Sequence, residues 1–160
     1  MMWQGLMMAL VAFLLLLIAY IFQMVGYTGT CTQGADGPFL TGVTLSFPFL
    51  VASIGSLAMV RRRLVRNRRP RGSAFTGVMS AMVCLMALWM LAANRQVAYD
   101  TLWLGIGPCG SDYHFEGEPL FLFRTVLVGV IYAIMPAFVS GFALLNLWNA
   151  LPDVWNEGVN

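Results

Sequence analysis

Four long apolar runs leave this chain little choice of solvent or fold. They cover about residues 6–24, 39–60, 74–93 and 120–148. An α-helix rises about 1.5 Å per residue, so about 20 residues cross the hydrocarbon of a bilayer, and each run is long enough. A backbone in lipid finds no water to pair with, so each run must satisfy its own N–H and C=O groups, as a helix does. A membrane barrel would need segments of about ten residues that alternate apolar and polar. The stretch "LVAFLLLLIAYIF", residues 10–22, does not alternate. Composition agrees: 59% of the residues are hydrophobic and 10% charged, against about 25% charged in a soluble domain. The expected fold class is an all-α integral membrane protein, a four-transmembrane-helix bundle forming one domain over residues 1–160. The first run reads as an uncleaved span, because "MMWQG" before it carries no Lys or Arg. It also exceeds the roughly 7–15 apolar residues of a signal peptide.

Charge orients the four spans. Seven of the nine basic residues, all of them arginines, fall in "RRRLVRNRRPR": Arg61, Arg62, Arg63, Arg66, Arg68, Arg69 and Arg71. A nucleic-acid binder would spread such residues over a folded face and interleave aromatics, and no nucleic-acid partner is expected. The cluster lies between the second and third runs, and short Arg-rich loops stay in the cytoplasm. Both termini are then cytoplasmic too, and the loops around 25–38 and 94–119 face the other side. Those loops hold Asp36, Asp100, Asp112, Glu116 and Glu118 against a single base, Arg95. The expected location is the cell membrane, multi-pass, in a bacterial inner membrane. The arginines also attract anionic lipid head groups at the cytoplasmic face. Arg124, near the outer end of the fourth run, can snorkel to the interface and pair with Glu116 or Glu118.

Within the fourth run, Thr125, Gly129, Ala133, Ala137 and Gly141 recur every four residues. A ridge of small side chains lets another helix approach closely, so these positions are the expected helix-packing face, toward another span or another subunit. Pro136 beside the ridge removes a backbone donor and predicts a kink. The third run carries Met79, Met82, Met86 and Met90 on one helix face. The Met-x-x-x-Met steps at Met82, Met86 and Met90 resemble the motif of eukaryotic copper transporters, which implies Cu(I) on thioether sulfur. Methionine is also a flexible filler at helix interfaces, and packing is the favoured reading here.

Cys31 and Cys109 fall in the two outer loops, and Cys84 within the third run. On an oxidising face the first two are expected to form a structural disulfide, leaving Cys84 as a small buried apolar residue. Four helices with cysteines in outer loops resemble the membrane quinone reductases that regenerate disulfides. Those proteins carry a Cys-x-x-Cys pair in the first loop, whereas Gly34 stands three residues after Cys31, so no relay between two disulfides is available. His114 is the only histidine, which excludes a bis-histidine haem within this chain. The spacing of Cys31, Cys109, Asp112 and His114 matches no metal motif, and no metal site is expected. The second outer loop, with Tyr99, Trp103, Tyr113 and Phe115, is expected to hold an interfacial segment folded over the bundle or against a partner, and Trp148 and Trp155 to anchor the end of the chain at the interface. No catalytic constellation and no cofactor are expected, contact with lipid or quinone being left open. The favoured function is a non-catalytic accessory or structural subunit of a larger inner-membrane complex, with other membrane subunits as partners. The alternative is a stand-alone thiol/quinone redox protein or a soft-metal carrier for copper.

Overall fold

A computed structural model describes residues 3–34, 37–66, 73–104, 108–110 and 121–151. They are almost entirely helical, with no strand among them. Helix α1 spans Gln4–Gln33, α2 Gly37–Arg66 and α3 Ser73–Tyr99. A π-helical turn, Asp100–Leu104, extends α3, and a 3₁₀ turn, Pro108–Gly110, follows. The fourth run is α4, Phe121–Gly129, a π-helical turn, Val130–Ile134, and α5, Met135–Ala150. Four helical segments are long and apolar enough to cross a membrane: Gln4–Gln33, Gly37–Arg66, Ala74–Leu104 and Thr125–Ala150.

The helices outrun the apolar stretches that announced them. Hydropathy fades after residue 24, yet α1 continues to Gln33, because its end is set by a cap. Gly34 takes a left-handed conformation, φ 66°, and its N–H bonds to Thr30 O at 2.9 Å. Glycine does this without the steric cost a Cβ would add. Cys31 therefore sits in the last turn of α1, not in a loop as its polar surroundings suggested. The next helix begins almost at once. Thr30 Oγ1 accepts from Phe39 N–H at 2.9 Å, so α1 satisfies an amide that the first turn of α2 leaves without a helical partner. Pro136 stands in the first turn of α5, directly after the π-helical turn. The sequence predicts a kink there, and the residue that lacks an N–H directly follows a widened turn.

Burial follows a 3–4 spacing on each long helix. On α1 the buried positions are Ala9, Ala12, Leu16, Ala19, Gln23, Gly26 and Thr30. On α2 they include Phe39, Val43, Ser46, Leu50, Ser53, Leu57, Val60 and Leu64. A period near 3.5 is that of helices coiling gently round a shared axis. Around that axis the order is α1, α2, α5, α3: α1 packs on α2 and α3, and α5 on α3 and α2. Gly26 meets Gly42, Leu57 meets Asn146, and Gly77 meets Ala150, so successive spans alternate in direction. One end of the bundle holds Cys31 and Cys109, the other Arg61–Arg66. At Gly26 and Gly42 the backbones of α1 and α2 come into direct contact. A Cβ on Gly42 would stand 2.5 Å from Phe22 O and 2.9 Å from Gly26 Cα.

Candidate functional site

At the cysteine end, Cys31 and Cys109 form a disulfide, Cα–Cα 5.4 Å, as the sequence implied. It fastens the end of α1 to the 3₁₀ turn after α3. Cys109 has φ 64°, an uncommon conformation for a residue with a Cβ. Next to it is a recess of about 190 Å³. Met24 and Tyr27 border it from α1, Asn94 from α3, and Cys109 from the turn. The other two walls come from the π-helical turns: Asp100 from one and Tyr132 from the other. Such turns add a residue to a helix and so re-aim side chains, often at functional sites. Gln96 Nε2 donates to Asp100 Oδ1 at 2.8 Å. Tyr132 is 2% exposed, and its hydroxyl has no partner among the described residues. Its ring lies 5.8 Å from that of Phe39. Amides, a carboxylate and phenols round such a volume can hold ordered water or a small polar group.

Asn94 joins this recess to a buried polar tie. Its Nδ2 donates to Gln23 Oε1 at 2.8 Å, and Gln23 Nε2 to Ser46 Oγ at 3.4 Å. Ser46 Oγ in turn donates to Val43 O at 2.8 Å. Three helices are linked at one level. Lower down, Ser53 Oγ donates to Ala12 O and Asn146 Nδ2 to Leu57 O, each at 3.0 Å. In the sequence, Gln23 is the one polar residue of the first apolar run, and Ser46 and Ser53 are among several small polar residues of the second. Nothing in the sequence pairs them with each other or with Asn94, since their value depends on what lies opposite. Asn94→Leu would strand a buried Gln23 amide and is expected to lower stability by roughly 0.6–2 kcal/mol. Adding Gln23→Leu removes the stranded group, so the double variant should unfold later than the two single losses summed predict. Detergent unfolding midpoints of the four proteins check this, and simple additivity would refute the tie.

The other residues singled out by sequence are dispersed. Thr125 and Ala133 are half-buried, and Gly129 packs on Leu102 of the first π-helical turn, where a Cβ would come within 2.9 Å of Leu102 Cδ2. Ala137 and Gly141 are exposed, and a Cβ on Gly141 would meet nothing within 4 Å. The ridge is thus divided between a contact inside the chain and an outward face. Arg63 Nη1 donates to Gln4 Oε1, while Arg61, Arg62 and Arg66 are exposed. Arg68, Arg69, Arg71, Asp112, Tyr113, His114, Phe115 and Trp155 lie outside the described residues, as does the side chain of Arg124. Of the methionines, Met90 is fully buried and Met82 is 44% exposed, with Met79 and Met86 between. Cys84 is half-buried against the main core. Compared with protein-family models, curated proteins and solved structures, the chain matches none.

Proposed function

We propose that this chain is a non-catalytic accessory subunit of a larger complex in a bacterial inner membrane, crossing the bilayer four times with both termini in the cytoplasm. The observation that carries the reading is how the interior polar groups are used. The hydrogen bonds of Asn94 to Gln23, Gln23 to Ser46, Ser53 to Ala12 O and Asn146 to Leu57 O run from helix to helix, which holds neighbouring spans in register. A bundle tied in this way acts through its outer surfaces. At the cysteine end the disulfide steadies one of them, where Tyr99, Trp103 and Leu104 are 53%, 79% and 47% exposed. Extraction from native membranes in mild detergent, followed by native mass spectrometry, tests the assignment. The expected result is a complex of fixed stoichiometry, and weaker retention of its partners in the Trp103→Ala variant. A chain that always emerges alone, and stays functional so, would refute it.

The recess favours a second reading, because Cys109 shares it with Asn94, Asp100 and Tyr132. In that reading the disulfide exchanges with an external dithiol, the dithiol being oxidised as Cys31 and Cys109 are reduced to thiols, and a membrane quinone reoxidises them. Reoxidation of the reduced protein by a soluble quinone, monitored through thiol content, separates this reading from a structural bridge.

The topology has its own test. Reporter fusions after residue 66 are expected to read cytoplasmic, and fusions after 33 and 112 external. A cytoplasmic reading at 112 would remove the four-span arrangement.

A further inference from the structure

The arginine end of the bundle is divided in use. Arg63 is engaged with Gln4 of α1. Arg61, Arg62 and Arg66 instead surround a basin of about 690 Å³, walled also by Ala58, Val65 and Phe142. Arg61 and Phe142 belong equally to a second cavity, of about 500 Å³, that climbs the outside of α5. Its floor is Ala137 and Gly141, and its sides are Ile134, Phe138 and Leu145. The floor is low because a glycine and an alanine stand where the neighbouring outward positions are large. From Leu145 to Ile134 the groove is about 16 Å long at 1.5 Å per residue. The two cavities are therefore parts of one surface, charged at its foot and apolar above it.

We propose that this surface binds one anionic phospholipid, its phosphate among Arg61, Arg62 and Arg66 and one acyl chain laid over Gly141 and Ala137 toward Ile134. The proposal rests on the membrane placement above and goes beyond it. Guanidinium groups present paired N–H donors that match phosphate oxygens, so three of them round one basin favour that head group over a zwitterionic one. The groove suits a hydrocarbon chain, which gains dispersion contact with exposed helix backbone at Gly141. A crossing partner helix fits less well, because it would have to carry apolar side chains past three guanidiniums that have no partner among the described residues. An amphiphile with an anionic end and an apolar tail matches both halves.

The purified full chain, stripped of lipid in detergent, is titrated with phosphatidylglycerol or with phosphatidylcholine of the same acyl chains and followed by native mass spectrometry. One phosphatidylglycerol per chain is expected to be retained, on the order of tenfold more tightly than phosphatidylcholine. Arg61→Gln/Arg66→Gln should erase the preference. Gly141→Leu leaves the charge intact but fills the groove, and should also lose the adduct. Both sites face outward, and an intact Cys31–Cys109 bridge with native helix content reports that the variants are folded. Equal retention of the two lipids, unsaturating adduct series, or an unchanged adduct in Gly141→Leu would overturn the proposal. So would a polypeptide that co-purifies with the native chain and is lost from Gly141→Leu while lipid binding persists, since the groove would then hold a helix. In every such case, extraction from membranes only by detergent would leave the membrane placement standing.

Discussion

Replacing Gly42 with leucine is expected to abolish the native bundle. At this position α1 and α2 touch backbone to backbone. An added Cβ would stand 2.5 Å from Phe22 O, 2.9 Å from Gly26 Cα and 3.2 Å from Gly26 N. None of these atoms belongs to a side chain that can swing away, so two helices must separate along their length. Separation would also disturb Thr30 with Phe39 N–H, Gln23 with Ser46, and Ser53 with Ala12 O, which lie along the same contact. Overpacking in a core costs typically about 1–3 kcal/mol; here the leucine would exceed that range, and Gly42→Ala would fall within it. Gly55 is the matched control, on the same helix and exposed, where an added Cβ would meet nothing within 4 Å. Gly55→Leu should be neutral or slightly stabilising, because leucine is the better helix former. Folded yield and detergent unfolding midpoints of the three variants decide the matter. A Gly42→Leu protein that unfolds with the native chain would mean that α1 and α2 do not cross here.

That close approach was present in the sequence without being legible there. Gly26 belongs to a row of small residues on α1, with Ala9, Ala12 and Ala19, but Leu16 and Gln23 interrupt the row and its steps are three and four residues by turns. The ridge at Gly129, Ala133, Ala137 and Gly141 recurs every four residues and is much easier to see. Its two ends nevertheless meet different surroundings, Leu102 at Gly129 and open space at Gly141. A small residue permits an approach; whether one occurs depends on the register of the opposing helix. The same holds for Gln23 and Asn94, whose pairing across 71 positions is set by how α1 and α3 are aligned. Helices were legible because their evidence is local: long apolar runs with no alternation. Their ends were not, because Gly34 and the hydroxyl of Thr30 decide where α1 stops and α2 starts. The disulfide was legible because four helices that alternate in direction bring Cys31 and Cys109 to one end of the bundle.

Reduction of that disulfide is expected to give the other large effect. The bridge joins residues 78 positions apart, and in the chain-entropy model closing such a loop stabilises a fully flexible chain by about 4 kcal/mol. Two helical spans, α2 and α3, lie inside the loop. If they persist in the unfolded state within detergent, that state is already constrained, and the expected loss falls to about 2–4 kcal/mol. Cys31→Ser/Cys109→Ser should match the reduced native chain, because neither retains a bridge. Cys84→Ser should leave the response to reductant unchanged, since Cys84 is outside the bridge. The loss should also be local at first. Cys109 borders the recess with Asn94, Asp100 and Tyr132, so hydrogen exchange is expected to rise in Asp100–Leu104 and the last turn of α1 before it rises at Ala12 or Leu50 in the core. Unfolding midpoints with and without reductant, and exchange measured by segment, read both effects. Native protein in which both Cys31 and Cys109 react freely with an alkylating agent would refute the bridge; a midpoint indifferent to reductant would show that the spans alone fix the cysteine end.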